Sequence, residues 1–113
     1  LVAVNAADRR YLSFIEHFLP VAQARGVPLI GMKVVADGRL LKHLPPADAL
    51  HYTLSLPGVV TAIMGCGTLR ELEENIEAAR AFSPLGAPEL AALEARVKPR
   101  WRERINIYQL PAA

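Results

Sequence analysis

Cysteine is almost missing from this chain. Cys66 stands alone among 113 residues, so no disulfide can form within it, and the composition fits a reducing compartment. Aromatic residues are scarce at 6%, so any core must be built by aliphatic packing of Ala, Leu and Val. No apolar run is long enough to span a bilayer, and Asp8, Arg9 and Arg10 interrupt any signal-like start. A cytoplasmic protein without membrane contact is the expectation. Charge of one sign is lacking too. The formal +2 does not mark a nucleic-acid partner, because no basic run is interleaved with aromatics before the tail. There, Lys98, Arg100, Arg102 and Arg104 around Trp101 read as a solvated tail, so no nucleic acid is expected. His17, His43 and His51 match no metal-ligand spacing, and no metal site is expected. The initial Met is absent as well. The chain opens on Leu1 inside an apolar run, which reads as a piece of a longer protein or one whose start has been lost.

Hydrophobic residues make up 52% of the chain, which argues against disorder, and the length suits one domain. Leu1 to Ala6 reads as a buried strand. Tyr11, Phe14, Ile15, Phe18, Leu19 and Ala22 form one stripe of an amphipathic helix, which Pro20 must kink or restart and Gly26 closes. Pro28 to Val35 is a second apolar run, ended by a turn at Asp37-Gly38. A helix over 48–56 follows, with Leu50 and Leu54 inward. Val59 to Ile63 is the third strand. The helix over 68–81 should face Leu69, Leu72, Ile76 and Ala79 inward, and a last helix from near Pro88 carries Leu90, Leu93 and Val97. The order β-α-β-α-β-α plus a C-terminal helix predicts α/β architecture, with three parallel strands in sequence order. Three such strands leave two bare edges, so the pattern suggests part of a larger sheet or barrel. One sheet face, assigned to Val2, Val4, Ile30, Met32, Val60 and Ala62, would lack a covering layer and invite self-association.

The richest stretch is Val59 to Asn75, VVTAIMGCGTLRELEEN. An apolar strand runs into Gly65-Cys66-Gly67, and a helix opens at Thr68 with Glu71 in capping-box spacing. Free N–H groups and the positive dipole end of that helix suit an anion, and the glycines allow a ligand close to the backbone. A phosphate-bearing cofactor is one reading. A βα turn whose glycines merely satisfy turn geometry is the other.

The run GVPLIGMKVVADGRLL, followed by DALHYTLSLPGVVTAIMGCGTLRELEENIEAA, resembles the C-terminal portion of an aldo/keto reductase. The resemblance spans nearly the whole chain as the last three βα units. It implies a partial (β/α)8 TIM barrel from an oxidoreductase using NADP or NAD. It also implies that Gly65, Cys66, Gly67 and Thr68 occupy the loop that binds the adenosine 2′-phosphate, and that Glu74 and Asn75 contact the adenine end. Better-known members start this loop with Lys and Ser and follow with Arg inside the helix. Here those positions read Gly65, Cys66 and Glu71, so discrimination for NADP(H) over NAD(H) is expected to be weak. By the same resemblance, Met32 takes the place of the residue that packs on the nicotinamide, though core filling is an equal use for Met. Lys33 either reaches the cofactor's pyrophosphate or snorkels at a strand end. Asn5 reads as a turn former.

The family's proton-donating Tyr and its Lys, Asp and His neighbours lie on strands upstream of Leu1, and Tyr11, Tyr52 and Tyr108 do not match their context. The resemblance therefore implies a cofactor-binding part without a catalytic tetrad. Its partners would be the dinucleotide and either the missing N-terminal barrel half or a second copy. A non-catalytic nucleotide-binding remnant and a structural half-barrel are the alternatives.

Overall fold

A computed structural model describes residues 1–10, 12–97 and 105–106 of the chain. Tyr11, Tyr108 and the basic residues around Trp101 lie outside the described residues. Three short strands, β1 (Val2–Ala3), β2 (Leu29–Met32) and β3 (Val59–Ala62), pair in parallel in the order β1-β2-β3. The helices are α1 (Phe14–His17), α2 (Leu19–Ala24), α3 (Pro46–Leu54), α4 (Leu69–Arg80) and α5 (Ala87–Val97), with 3-10 turns at Asp8–Arg10 and Arg39–Lys42. The alternating α/β order and the parallel sheet agree with the sequence reading.

Local chemistry explains how four of the helices begin. The first stripe breaks into two helices at Phe18. Pro20 sits in the first turn of α2, where its missing N–H costs nothing. Ser13 caps α1 by accepting from Glu16 N–H at 3.1 Å. Buried Asp8 holds that cap, accepting from the Ser13 hydroxyl at 2.6 Å and from Ile15 N–H at 2.9 Å. α3 opens on Pro46, at the first helical position. α4 carries the expected capping box in full, with Thr68 and Glu71 exchanging side-chain and backbone bonds.

The second strand is shorter than the apolar run Pro28 to Val35 suggests. β2 ends at Met32 because Lys33 turns the chain at φ 57°, and Ala36, Asp37 and Gly38 also have positive φ. Val34 and Ala36 nevertheless join the core, so their apolar character fills space from a turn.

The composition of the two sheet faces also needs correction. Val2 pairs with Gly31, and Gly31 with Ala62. A Cβ at Gly31 would lie 2.6 Å from Thr53 Cγ2 on α3 and 3.6 Å from both Val4 Cγ2 and Val59 Cγ1. Val2, Val4, Leu29, Gly31, Val59 and Ala62 therefore share the face that α3 covers. Ala3, Ile30, Met32 and Thr61 take the other. A register shift beside Leu29/Ile30 moves Ala62 across, because one extra residue flips every side chain beyond it.

α4 is rotated from the expected inward face. Its buried residue is Ala78, with Asn75 half-buried and Phe82 half-buried just beyond its end, while Leu69 is 71% exposed and Leu72, Ile76 and Ala79 are also exposed. Its neighbour is α3. His51 Nε2 hydrogen-bonds Ala78 O at 2.7 Å, and its ring meets Phe82 edge-on. Small Ala78 permits that close approach, and the larger side chains point away.

Candidate functional site

The strands' C-terminal ends open onto a cavity of about 470 Å³. Met32 and Lys33 come to it from the end of β2, and Gly65, Cys66 and Gly67 from the loop after β3. Glu74 and Asn75 reach it from the second turn of α4. Seven of the eight residues singled out from sequence thus meet in one place. Thr68 does not line the cavity, and its hydroxyl accepts from Glu71 N–H at 3.1 Å.

Gly65 has open space where a Cβ would be, and neither Gly65 nor Gly67 has positive φ. Backbone conformation therefore demands glycine at neither position. At Gly67 a Cβ would make ordinary contact with Glu71 Oε2 at 3.5 Å. Cys66 is exposed.

Electrostatics at the cavity are dominated by carboxylates. Lys33 Nζ is held by Asp37 Oδ1 at 2.6 Å, and Arg39 reaches the other Asp37 oxygen at 3.9 Å. Arg70 on the adjoining face pairs with Glu74 Oε1 at 2.8 Å, and that hydrogen bond, with the carboxylate's charge, raises the pKa of the guanidinium. Glu71 Oε2 accepts from Gly67 N–H at 2.6 Å and Thr68 N–H at 3.2 Å.

Sequence reasoning missed Asp37 and Asn106. Asp37 was visible only as a turn former, and its pairing with Lys33 needs the left-handed loop that shortens β2. Asn106 forms a reciprocal amide pair with buried Asn5, at 3.0 and 3.1 Å. Asn5 Nδ2 also donates to Lys33 O at 2.9 Å, so residue 106 helps hold the turn that carries Lys33. No local signal links positions 5 and 106. Asn5 does make its expected turn, since its Oδ1 accepts Ala7 N–H at 2.9 Å.

A second cavity of about 400 Å³ lies at the β1 edge, between Leu1, Ala3, Phe14 and Phe18, and shares Met32 and Lys33 with the first. Tyr52 lies away from both. It is buried and donates its hydroxyl to Glu94 Oε1 at 2.6 Å, and Glu94 also takes Arg9 Nε at 2.9 Å. Burial, helped by the bond to Glu94 and its charge, pushes the Tyr52 pKa far above the usual 10.0. Among the described residues, no helix is long and apolar enough to cross a membrane, and no three His, Cys, Asp or Glu side chains cluster as metal ligands. Compared with known proteins, the chain matches no family model, no curated protein and no solved structure.

Proposed function

We infer that the chain is the C-terminal cofactor-binding part of an NAD(P)H-dependent oxidoreductase reducing carbonyl compounds, built as part of an aldo/keto reductase barrel. The observation that carries this reading is the meeting of Met32, Lys33, the Gly65–Gly67 loop, Glu74 and Asn75 around one cavity at the C-terminal ends of parallel strands. Ligands of α/β folds bind at that end. Gly65 adds support, because nothing among the described residues requires glycine there and a ligand lying on the backbone would. In this reading Met32 packs on the nicotinamide and Lys33 leaves Asp37 to meet the pyrophosphate. The loop takes the phosphate end and Asn75 the adenine.

This chain supplies binding and orientation but no proton. Tyr52 is buried and bonded to Glu94, away from the cavity, and in this reading the acid–base group belongs to strands outside this sequence. The exposed apolar residues Val60, Ile63, Leu69, Leu72 and Ile76 at the β3 and α4 edge suit a covering partner, either the rest of a barrel or a second copy. A cytoplasmic location accompanies this reading.

The test is titration of NADH and NADPH into the intact protein that carries this sequence, beside an Asp37→Asn variant. Binding of at least one cofactor is expected, tighter by about tenfold when Lys33 is freed from Asp37. The 113-residue chain alone should not reduce a simple aldehyde, and measurable reduction by it would overturn the division of labour. Cofactor binding by the intact protein without any reduction would favour a nucleotide-binding remnant.

A further inference from the structure

The turn after β2 is strained. Lys33, Ala36, Asp37 and Gly38 carry positive φ, at 57°, 50°, 54° and 83°. Residues with a Cβ keep such a backbone only where their surroundings hold it. Lys33 O accepts from Ala36 N–H at 2.9 Å within the turn and from Asn5 Nδ2 at 2.9 Å across the strand ends. Asn5 is buried, and Asn106 orients its amide by exchanging bonds with it at 3.0 and 3.1 Å. Ile105 is buried in the core beside that contact, which anchors the segment there. Held in this shape, the turn brings Lys33 Nζ to Asp37 Oδ1 at 2.6 Å. Both side chains of that pair are well exposed to water, so the pair has little strength of its own. The backbone beneath it must supply the rest. Lys33 is the one cation lining the larger cavity among the described residues, and it lines the second cavity too.

We propose that Asn106 is a latch on this turn: docked on Asn5, it keeps Lys33 engaged with Asp37 and so withholds the cavity's cation. When Asn106 undocks, buried Asn5 loses a donor and an acceptor partner, and its grip on the Lys33 carbonyl loosens. The ammonium is then released to an anionic ligand. The C-terminal segment thus acts on the cavity mouth although Asn106 lines neither cavity. The proposal concerns how Lys33 is held and does not rest on what the cavity binds.

The experiment is trace acylation of the intact protein with acetic anhydride, read at each lysine by mass spectrometry. Exposed Lys42, which lies outside the turn, is the internal reference. An amine must leave its carboxylate to react, so the Lys33 rate relative to Lys42 reports the pairing with Asp37. Asp37→Asn, the control, should raise that ratio about two- to fivefold, the range an exposed ion pair sustains. Asn106→Leu fills the same space without the amide and should raise it by a similar factor, and the double variant should rise no further. A purely structural role for Asn106 would lower stability and leave the ratio unmoved. A folded Asn106→Leu protein with the wild-type ratio therefore overturns the proposal. So does a double variant whose rise is the full product of the two single ones, because Asn106 would then act apart from the pair. General unfolding is recognised by circular dichroism and by Lys42 reacting faster along with Lys33, and in that event Asn106→Ala is read instead. If neither variant folds, the amide is a requirement of the fold and the latch is refuted.

Discussion

Two sides of this molecule are built to different standards. Where β1 and β2 meet α3 and α5, the interior is close-packed: Val4, Leu40, Leu44, Tyr52 and Val97 are buried, and polar Asn5, Asp8 and Thr53 are buried among them. Among the described residues, every buried side-chain nitrogen or oxygen there has a hydrogen-bond partner. On the side of β3 and α4, large apolar side chains face outward, Val60 at 66% and Leu69 at 71% exposure, and the polar contacts are surface pairs such as Arg70–Glu74. The first side resists change because desolvated polar groups must stay paired and close-packed atoms have nowhere to move. The second tolerates change at its outward positions, because those side chains are exposed and its ion pairs are hydrated. The cavity lies where the two meet, with Lys33 anchored through Asn5 and Asn106 and the glycine loop open.

The sharpest way to break this contrast is a pair of glycine substitutions. Gly31→Val puts atoms within 2.6 Å of Thr53 Cγ2 and should cost about 3 kcal/mol or more, measured by urea denaturation. Gly65→Ala meets nothing among the described residues and should leave the denaturation midpoint unmoved, yet lower dinucleotide affinity severalfold in the intact protein. Equal destabilisation by both would erase the distinction.

Next in size is Tyr52→Phe, which removes one of the two donors to Glu94 Oε1, leaving Arg9, and should cost about 1–2 kcal/mol. Its pH dependence has a definite sign. The Tyr52 pKa is raised in the folded state, so its stabilising effect is full below the unfolded value of 10.0 and is lost as pH climbs above that. Wild-type stability should therefore fall on the alkaline side of pH 10, and the Phe variant should lose that component. A fall of equal steepness in both would place the titrating group elsewhere.

Smaller still is Thr68→Ala. Loss of its bond to Glu71 N–H should cost about 1 kcal/mol, read as a modest drop in thermal midpoint. Smallest of all is the outward face of α4. Ile76→Lys should change stability by less than about 0.5 kcal/mol while reducing any concentration-dependent association seen by sedimentation. A large stability loss would mean that Ile76 is buried against something already present.

Much of this was legible in the residues. Val59 to Ile63, the glycines and the T-x-x-E spacing located a strand, a turn and a helix start, because hydrogen-bond chemistry there is settled within a few neighbours. Of the eight residues named from local pattern and resemblance, seven line one cavity, since they sit at strand ends, in one loop and on one helix turn. The interior face of α4 was not legible. Leu69, Leu72 and Ile76 carry the hydrophobic pattern, but which stripe is buried depends on which neighbour arrives, and α3 arrives at Ala78.

What the sequence determined by itself is the order of elements, the parallel sheet and the capped start of α4, all products of short-range sterics and periodicity. Only the tertiary structure decided the face of each strand, the pairing of Lys33 with Asp37 and the closure of Asn5 on Asn106. Each of these depends on a shift of one residue, a left-handed turn or a contact across 101 positions. Such choices are set by packing between distant segments, and no window of neighbouring residues contains both partners.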